Sequence, residues 1–149
     1  MSVRFWGLVG LGMLFVAGCS AGVEPEVVPP LEAVTGKVLI DGQPSAGVSV
    51  TFVPAENNKG NPCSGSTDAS GAFSLTHRSG APGIPAGDYV VVFSKLTQPD
   101  GTPIPEGKTA ADVMAVDQIP ERYRAIPNFE FTVSVPTGGK AFDFELKSK

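Results

Sequence analysis

The chain has 149 residues and a formal net charge of −4, from 11 basic and 15 acidic side chains. Such a surface lacks the Lys and Arg excess that neutralises phosphates, which argues against nucleic acid and against electrostatic docking on anionic lipid. With 18 Gly, 14 Pro and no long run of helix-favouring residues, the composition also argues against a helical fold and reads as all-β.

In chain order, Arg4 precedes an apolar run from Phe5 to Phe15, and Val16-Ala17-Gly18-Cys19 follows. A basic start, a short apolar stretch and small residues before a cut are the parts of a secretory signal peptide. The run is too short for a spanning helix, which needs about 20 apolar residues. The alternatives are an uncleaved anchor helix or an ordinary signal peptide with a chance cysteine. Removal of residues 1–18 leaves 131, enough for one domain with a core, and costs only Arg4 among the charged residues. Residues 19–33 carry Pro25, Pro29 and Pro30 without periodicity, and read as a flexible tether.

The domain is read as residues 34–149. Val34, Gly36, Val38 and Ile40 share one face at period two, and Asp41-Gly42 supplies turn chemistry. Val48, Val50 and Phe52 form a second strand, residues 55–61 a polar loop, and Cys63 to Thr67 a third strand. Asp68-Ala69-Ser70-Gly71 is a turn into Phe73 and Leu75, and Ser79 to Gly87 is too rich in Gly and Pro for regular structure. Tyr89, Val91 and Phe93 alternate with Val90 and Val92, and apolar residues on both faces predict a central strand.

The rhythm breaks from Leu96 to Asn128, a proline-rich insertion with one short helix expected at Thr109–Val116. A loop of this length is often functional. Its Ile119 and Tyr123 are candidates to pin it to the sandwich. Phe129, Phe131, Val133 and Val135 then alternate, Gly138-Gly139 turns the chain, and Phe142, Phe144 and Leu146 alternate again, which predicts a hairpin. The expected fold is a seven-stranded antiparallel Greek-key β-sandwich with a long insertion before the last hairpin.

Val16-Ala17-Gly18-Cys19 resembles the bacterial lipobox. Gly36 to Phe52, Thr67 to Leu75 and Pro85-Ala86-Gly87-Asp88-Tyr89-Val90-Val91 resemble the successive signatures of carboxypeptidase regulatory-like (transthyretin-like) domains. Together the chain is similar to small lipoproteins of the planctomycete type over about Val34 to Leu146. The resemblance implies a transthyretin/prealbumin-like sandwich and lipidation at Cys19. The protein would then be exported and held on a bacterial membrane, at the outer membrane or periplasmic face. These are turn-and-strand motifs, and a fold does not fix a function.

Chemistry finds little support in the residues. His77 is the sole histidine, expected as an exposed imidazole at a strand end, and no Gly-x-Ser-x-Gly elbow presents a serine. The hydroxyisourate hydrolases resemble transthyretin but need several histidines and a C-terminal Tyr-Arg-Gly-Ser, whereas this chain ends Glu145-Leu146-Lys147-Ser148-Lys149. Intradiol dioxygenases hold iron with two tyrosines and two histidines, and here Tyr89 and Tyr123 are joined by His77 alone. No zinc spacing occurs, and Asp112, Asp117 and Glu121 are too dispersed to read as a calcium site. If Cys19 is acylated, Cys63 has no disulfide partner and reads as a small buried hydrophobe.

The sequence thus predicts a non-enzymatic, lipid-anchored module of the cell envelope without metal or cofactor, its partner an envelope protein or glycan. A second reading is a carbohydrate- or peptide-binding lipoprotein that uses the 96–128 loop, with Lys108, Arg122 and Tyr123 as candidate contacts.

Overall fold

The computed structural model describes residues 27–126 and 130–148. Cys19 and Phe129 lie outside them. The strands are β1 (Leu31–Glu32), β2 (Val34–Ile40), β3 (Gln43–Pro44), β4 (Ser49–Pro54), β5 (Cys63–Ser66) and β6 (Ala72–Ser74), then β7 (Ile84–Pro85), β8 (Gly87–Ser94), β9 (Leu96–Thr97), β10 (Val116–Asp117), β11 (Thr132–Val135) and β12 (Lys140–Leu146). One sheet has the order β11-β8-β4-β5; the other has β12-β2-β3, with β6 also paired to β2. The period-two segments become β2, β4, β5, β6, β8, β11 and β12. Among the described residues no helix is long and apolar enough to cross a membrane.

Alternation dictates the core. Val38, Val50, Phe52, Phe73, Leu75, Tyr89, Val91, Phe142 and Phe144 are buried as their pattern predicts, and Ile40, Phe131 and Val133 are partly buried against them. Aromatic rings knit the two sheets. Phe144 on β12 sits 5.1 Å from Phe93 on β8, and Phe52 on β4 sits 5.8 Å from Phe142, both edge-on, the arrangement that ring quadrupoles favour. Val90 and Tyr89 are both buried, as expected for a central strand, and β8 lies between β11 and β4.

Four expectations are corrected. The closing hairpin does not exist. β11 pairs antiparallel with β8 in one sheet, whereas β12 pairs parallel with β2 in the other, Phe144 opposite Val38. The Gly138-Gly139 turn carries the chain across the core from one sheet to the other. Both glycines have positive φ, and a Cβ on Gly139 would lie 2.3 Å from the carbonyl oxygen of Ala33. The alternating pattern of Lys140–Leu146 buries the same side chains in either pairing, so periodicity cannot choose between them.

The helix expected at Thr109–Val116 is a single turn. Thr109 N and Oγ1 both donate to Asp112 Oδ2 at 2.8 Å, which is a helix-start device. The turn then closes at once: Met114 N donates to Ala111 O, Ala115 N donates to Ala110 O, and Met114 has φ 50°. This pair of bonds around a left-handed residue is a C-terminal cap, so start and stop fall within one turn.

Third, paired structure begins before Val34 and continues inside the Gly/Pro-rich segment, because Leu31–Glu32 pairs with Ile84–Pro85. Ile84 and Pro85 are buried, and that burial supports a ladder which composition alone did not suggest. Fourth, His77 is buried rather than exposed, with 5% of its surface accessible. Bridges from Thr76 to Ser64 and to Pro82 fold the 77–81 turn inward, and the imidazole Nδ1 lies 2.9 Å from Ser79 Oγ.

Candidate functional site: a groove beneath the long insertion

The insertion leaves the sandwich immediately after β8 and returns at β10, which pairs antiparallel with β9, Val116 opposite Thr97. Asp117 fastens this junction. Its Oδ2 accepts the Ser94 hydroxyl at 2.6 Å, and its Oδ1 accepts the N–H groups of Lys95 and Ile119, each at 2.9 Å. Ile119, and Tyr123 at the end of a 3₁₀ turn (Glu121–Tyr123), enter the core as anticipated, with 2% and 4% of their surfaces accessible.

Between this junction and the β2–β3 turn lies an open groove of about 360 Å³, lined by Ile40, Gln43, Ser45, Lys95, Thr97 and Gln118, among others. A second hollow of about 310 Å³ shares Lys95 and Thr97 and adds the aliphatic side chains of Leu96, Pro103 and Ile104. Among the described residues Lys95 is the one charged side chain lining either. Its Nζ donates to Ser45 Oγ at 2.9 Å, and Gln118 Nε2 donates to Thr97 Oγ1 at 2.8 Å. Thr67 holds the Ser45 segment, its hydroxyl donating to Ser45 O at 2.6 Å and accepting from Val48 N at 2.9 Å. The groove therefore presents an ammonium group, hydroxyls and amides on one side and an aliphatic wall on the other.

The groove sits at one pole of the sandwich. β2 runs from Val34 to Ile40, and β12 runs beside it in the same direction. At the Val34 end, β1 arrives, Glu32 accepts from Gly138 N at 2.8 Å, and Lys140 N donates to Ala33 O. Ile40 and Ser148, at the other end, line the groove. Six residue steps of strand separate the poles by roughly 20 Å. A third cleft, of about 410 Å³, lies at the β1 pole and includes Val27, Pro85 and the buried His77.

Of the candidate contacts, Arg122 and Tyr123 come together, and Lys108 stands in a separate exposed turn closed on Pro105. The Arg122 guanidinium lies 4.7 Å over the Tyr123 ring and donates to Lys147 O at 2.8 Å, while Tyr123 OH accepts from Lys147 N. Together they clamp the outer edge of the chain just beyond β12. None of the three lines the groove. Lys95 and Ser45, 50 positions apart, were not distinguishable in sequence, because neither belongs to a motif.

Cys63 is buried with its Sγ 3.4 Å from Asn61 O, and burial pushes its thiol above the ordinary 9.0. A thiol held protonated is a poor nucleophile and a poor metal ligand. Among the described residues no group of three His, Cys, Asp or Glu side chains gathers as a metal would require.

No protein-family profile and no curated protein matches the chain. Solved structures similar to it include the major pilin subunit BcpA of Bacillus cereus, at 14% identity and TM-score 0.40, over 80% of this chain and 30% of that one. A DUF3823 family protein from Parabacteroides merdae has 17% identity and TM-score 0.34, over 80% and 45%. A 9R-lipoxygenase from Cyanothece has 16% identity and TM-score 0.36, over 78% and 16%. The chain spans less than half the length of each, and likeness at this level carries nothing about activity.

Proposed function

We propose that this chain is an exported bacterial lipoprotein of the carboxypeptidase regulatory-like kind. Acyl chains on Cys19 hold it at the cell envelope, and its sandwich acts as a non-enzymatic structural or protein-interaction module. The observation that carries this reading is Val16-Ala17-Gly18-Cys19 behind a basic start and a short apolar run. In this reading the tether would end at the first ladder, at Leu31. Twelve residue steps from Cys19 reach at most roughly 37 Å in polyproline II, so the domain would stand close to its membrane. Stable attachment needs more than one acyl chain, which is what lipobox processing supplies.

A second reading, a peptide- or carbohydrate-binding lipoprotein, is favoured by the groove. It opens beneath the long insertion at the pole away from β1, and so away from the membrane in this arrangement.

The full-length chain and its Cys19→Ser variant, produced in a bacterial host fed an alkyne fatty acid, test the anchor. Label and membrane sedimentation are expected for the parent and lost in the variant. Equal labelling of both would overturn the lipoprotein reading.

A further inference from the structure

Three features of the groove narrow what it can hold. First, Lys95 is half-buried, and its amine is bonded to a neutral hydroxyl. Among the described residues no carboxylate lies within ion-pair distance of the Lys95 amine. An ammonium with donors to spare favours an anionic oxygen, since charge-assisted hydrogen bonds are about twice as strong as neutral ones. Second, the described residues of the site offer a single cation in a chain of net charge −4, which repels polyanions and leaves a monoanion as the suitable guest. Third, the wall beside Lys95 is aliphatic, and among the described residues no aromatic side chain lines either hollow. Sugars are commonly gripped by stacking on exposed rings, so the groove is not built for an acidic glycan. It suits a carboxylate with an aliphatic group attached beside it.

We propose that the groove captures the C-terminal carboxylate of an extended peptide whose last side chain is aliphatic. Lys95 Nζ takes the carboxylate, with Ser45 holding the amine in place, and Leu96, Pro103 and Ile104 receive the terminal side chain. Ser45 is buried and tied down through Thr67, so the amine is held against a fixed part of the sandwich. The proposal rests on the second reading above, and it gives the membrane-distal pole a ligand class.

The test uses the full-length chain in detergent and fluorescent pentapeptide pools, randomised at the inner positions and ending in Leu, Ile or Val. Matched pools are C-terminally amidated, and a labelled oligogalacturonate serves as the acidic glycan. Fluorescence anisotropy should show free-acid pools binding at least tenfold more tightly than amidated ones. Lys95→Met should erase that difference at an unchanged thermal midpoint, and Lys95→Arg should retain most of it. Equal binding of acid and amide by the parent overturns the proposal whether or not the variants fold. Binding of the oligogalacturonate alone overturns it in favour of a glycan. The Cys19→Ser chain should bind the pools as the parent does, so failure of the anchor and failure of the groove are read separately.

Discussion

Asp117 accepts the backbone N–H of Lys95 at 2.9 Å across the mouth of the long insertion, although 22 positions separate the two residues. This bond, with those from Ser94 and Ile119, makes a two-residue ladder rigid enough to present the Lys95 side chain. Removing the carboxylate leaves two N–H groups and a hydroxyl to find other partners.

Asp117→Ala should therefore destabilise the fold by about 2–4 kcal/mol, since hydrogen bonds to a charged group contribute about 1.5–3 kcal/mol each and water recovers part of the loss. The urea midpoint should fall, and amide exchange should accelerate first at Lys95 and Ile119. Unchanged protection at those two amides would show that the ladder stands without the carboxylate.

Phe144 is the ring on which the core converges. It contacts Phe52, Phe73, Phe93, Phe131 and Phe142, at centroid separations from 5.1 to 6.4 Å. Phe144→Ala should cost about 3–5 kcal/mol, a large part of the stability of a domain this size. Phe142→Ala, nearer the surface at 9% exposure, should cost less. Urea titration of both variants should rank them in that order.

Burial raises the Cys63 thiol above its ordinary 9.0, so the folded state favours the protonated form. The stabilisation is fully present below the unfolded thiol's range and is lost as pH rises through the higher folded value. Parent stability should thus decline from about pH 8.5 upward relative to Cys63→Ala. A thiol reagent at pH 8 should label the folded parent slowly and the urea-unfolded chain at once. Rapid labelling of the folded chain would contradict the burial.

Replacing residues 98–115 with a short Gly/Ser linker should preserve the fold. The excision leaves β9, β10 and the buried Ile119 and Tyr123 in place, and loop length changes closure entropy only slowly. A thermal midpoint within a few degrees of the parent is expected. Failure to fold would assign the 98–115 segment to the core.

The seven period-two strands, most of the core and the Asp68–Gly71 turn follow from the sequence alone. An extended chain sends alternate side chains to opposite faces whatever its partner, so Val50 and Phe52 or Phe142 and Phe144 mark a buried face by covalent geometry. The Asp68 turn is equally local: its Oδ1 accepts from Ser70 N at 2.8 Å and from Ala72 N at 3.1 Å, and Gly71 takes φ 76°. The pinning of the insertion by Ile119 and Tyr123 was also legible, because isolated apolar residues in a polar loop gain free energy only by burial.

Pairing was decided elsewhere. Whether β12 lies antiparallel beside β11 or parallel beside β2 changes no side-chain periodicity, and the choice depends on how Gly138 and Gly139 carry the chain between sheets. The burial of His77 and the ladder of Leu31–Glu32 with Ile84–Pro85 likewise needed partners far along the chain. The groove shows the same division most sharply. Ser45, Lys95 and Gln118 carry no local signal: Ser45 and Lys95 meet because β4 pairs with β8, Ser49 opposite Ser94, and Gln118 joins them because Asp117 closes the insertion onto the end of β8. Such a site is a product of tertiary contacts, in which the energy of one hydrogen bond depends on all the strands that bring its ends together.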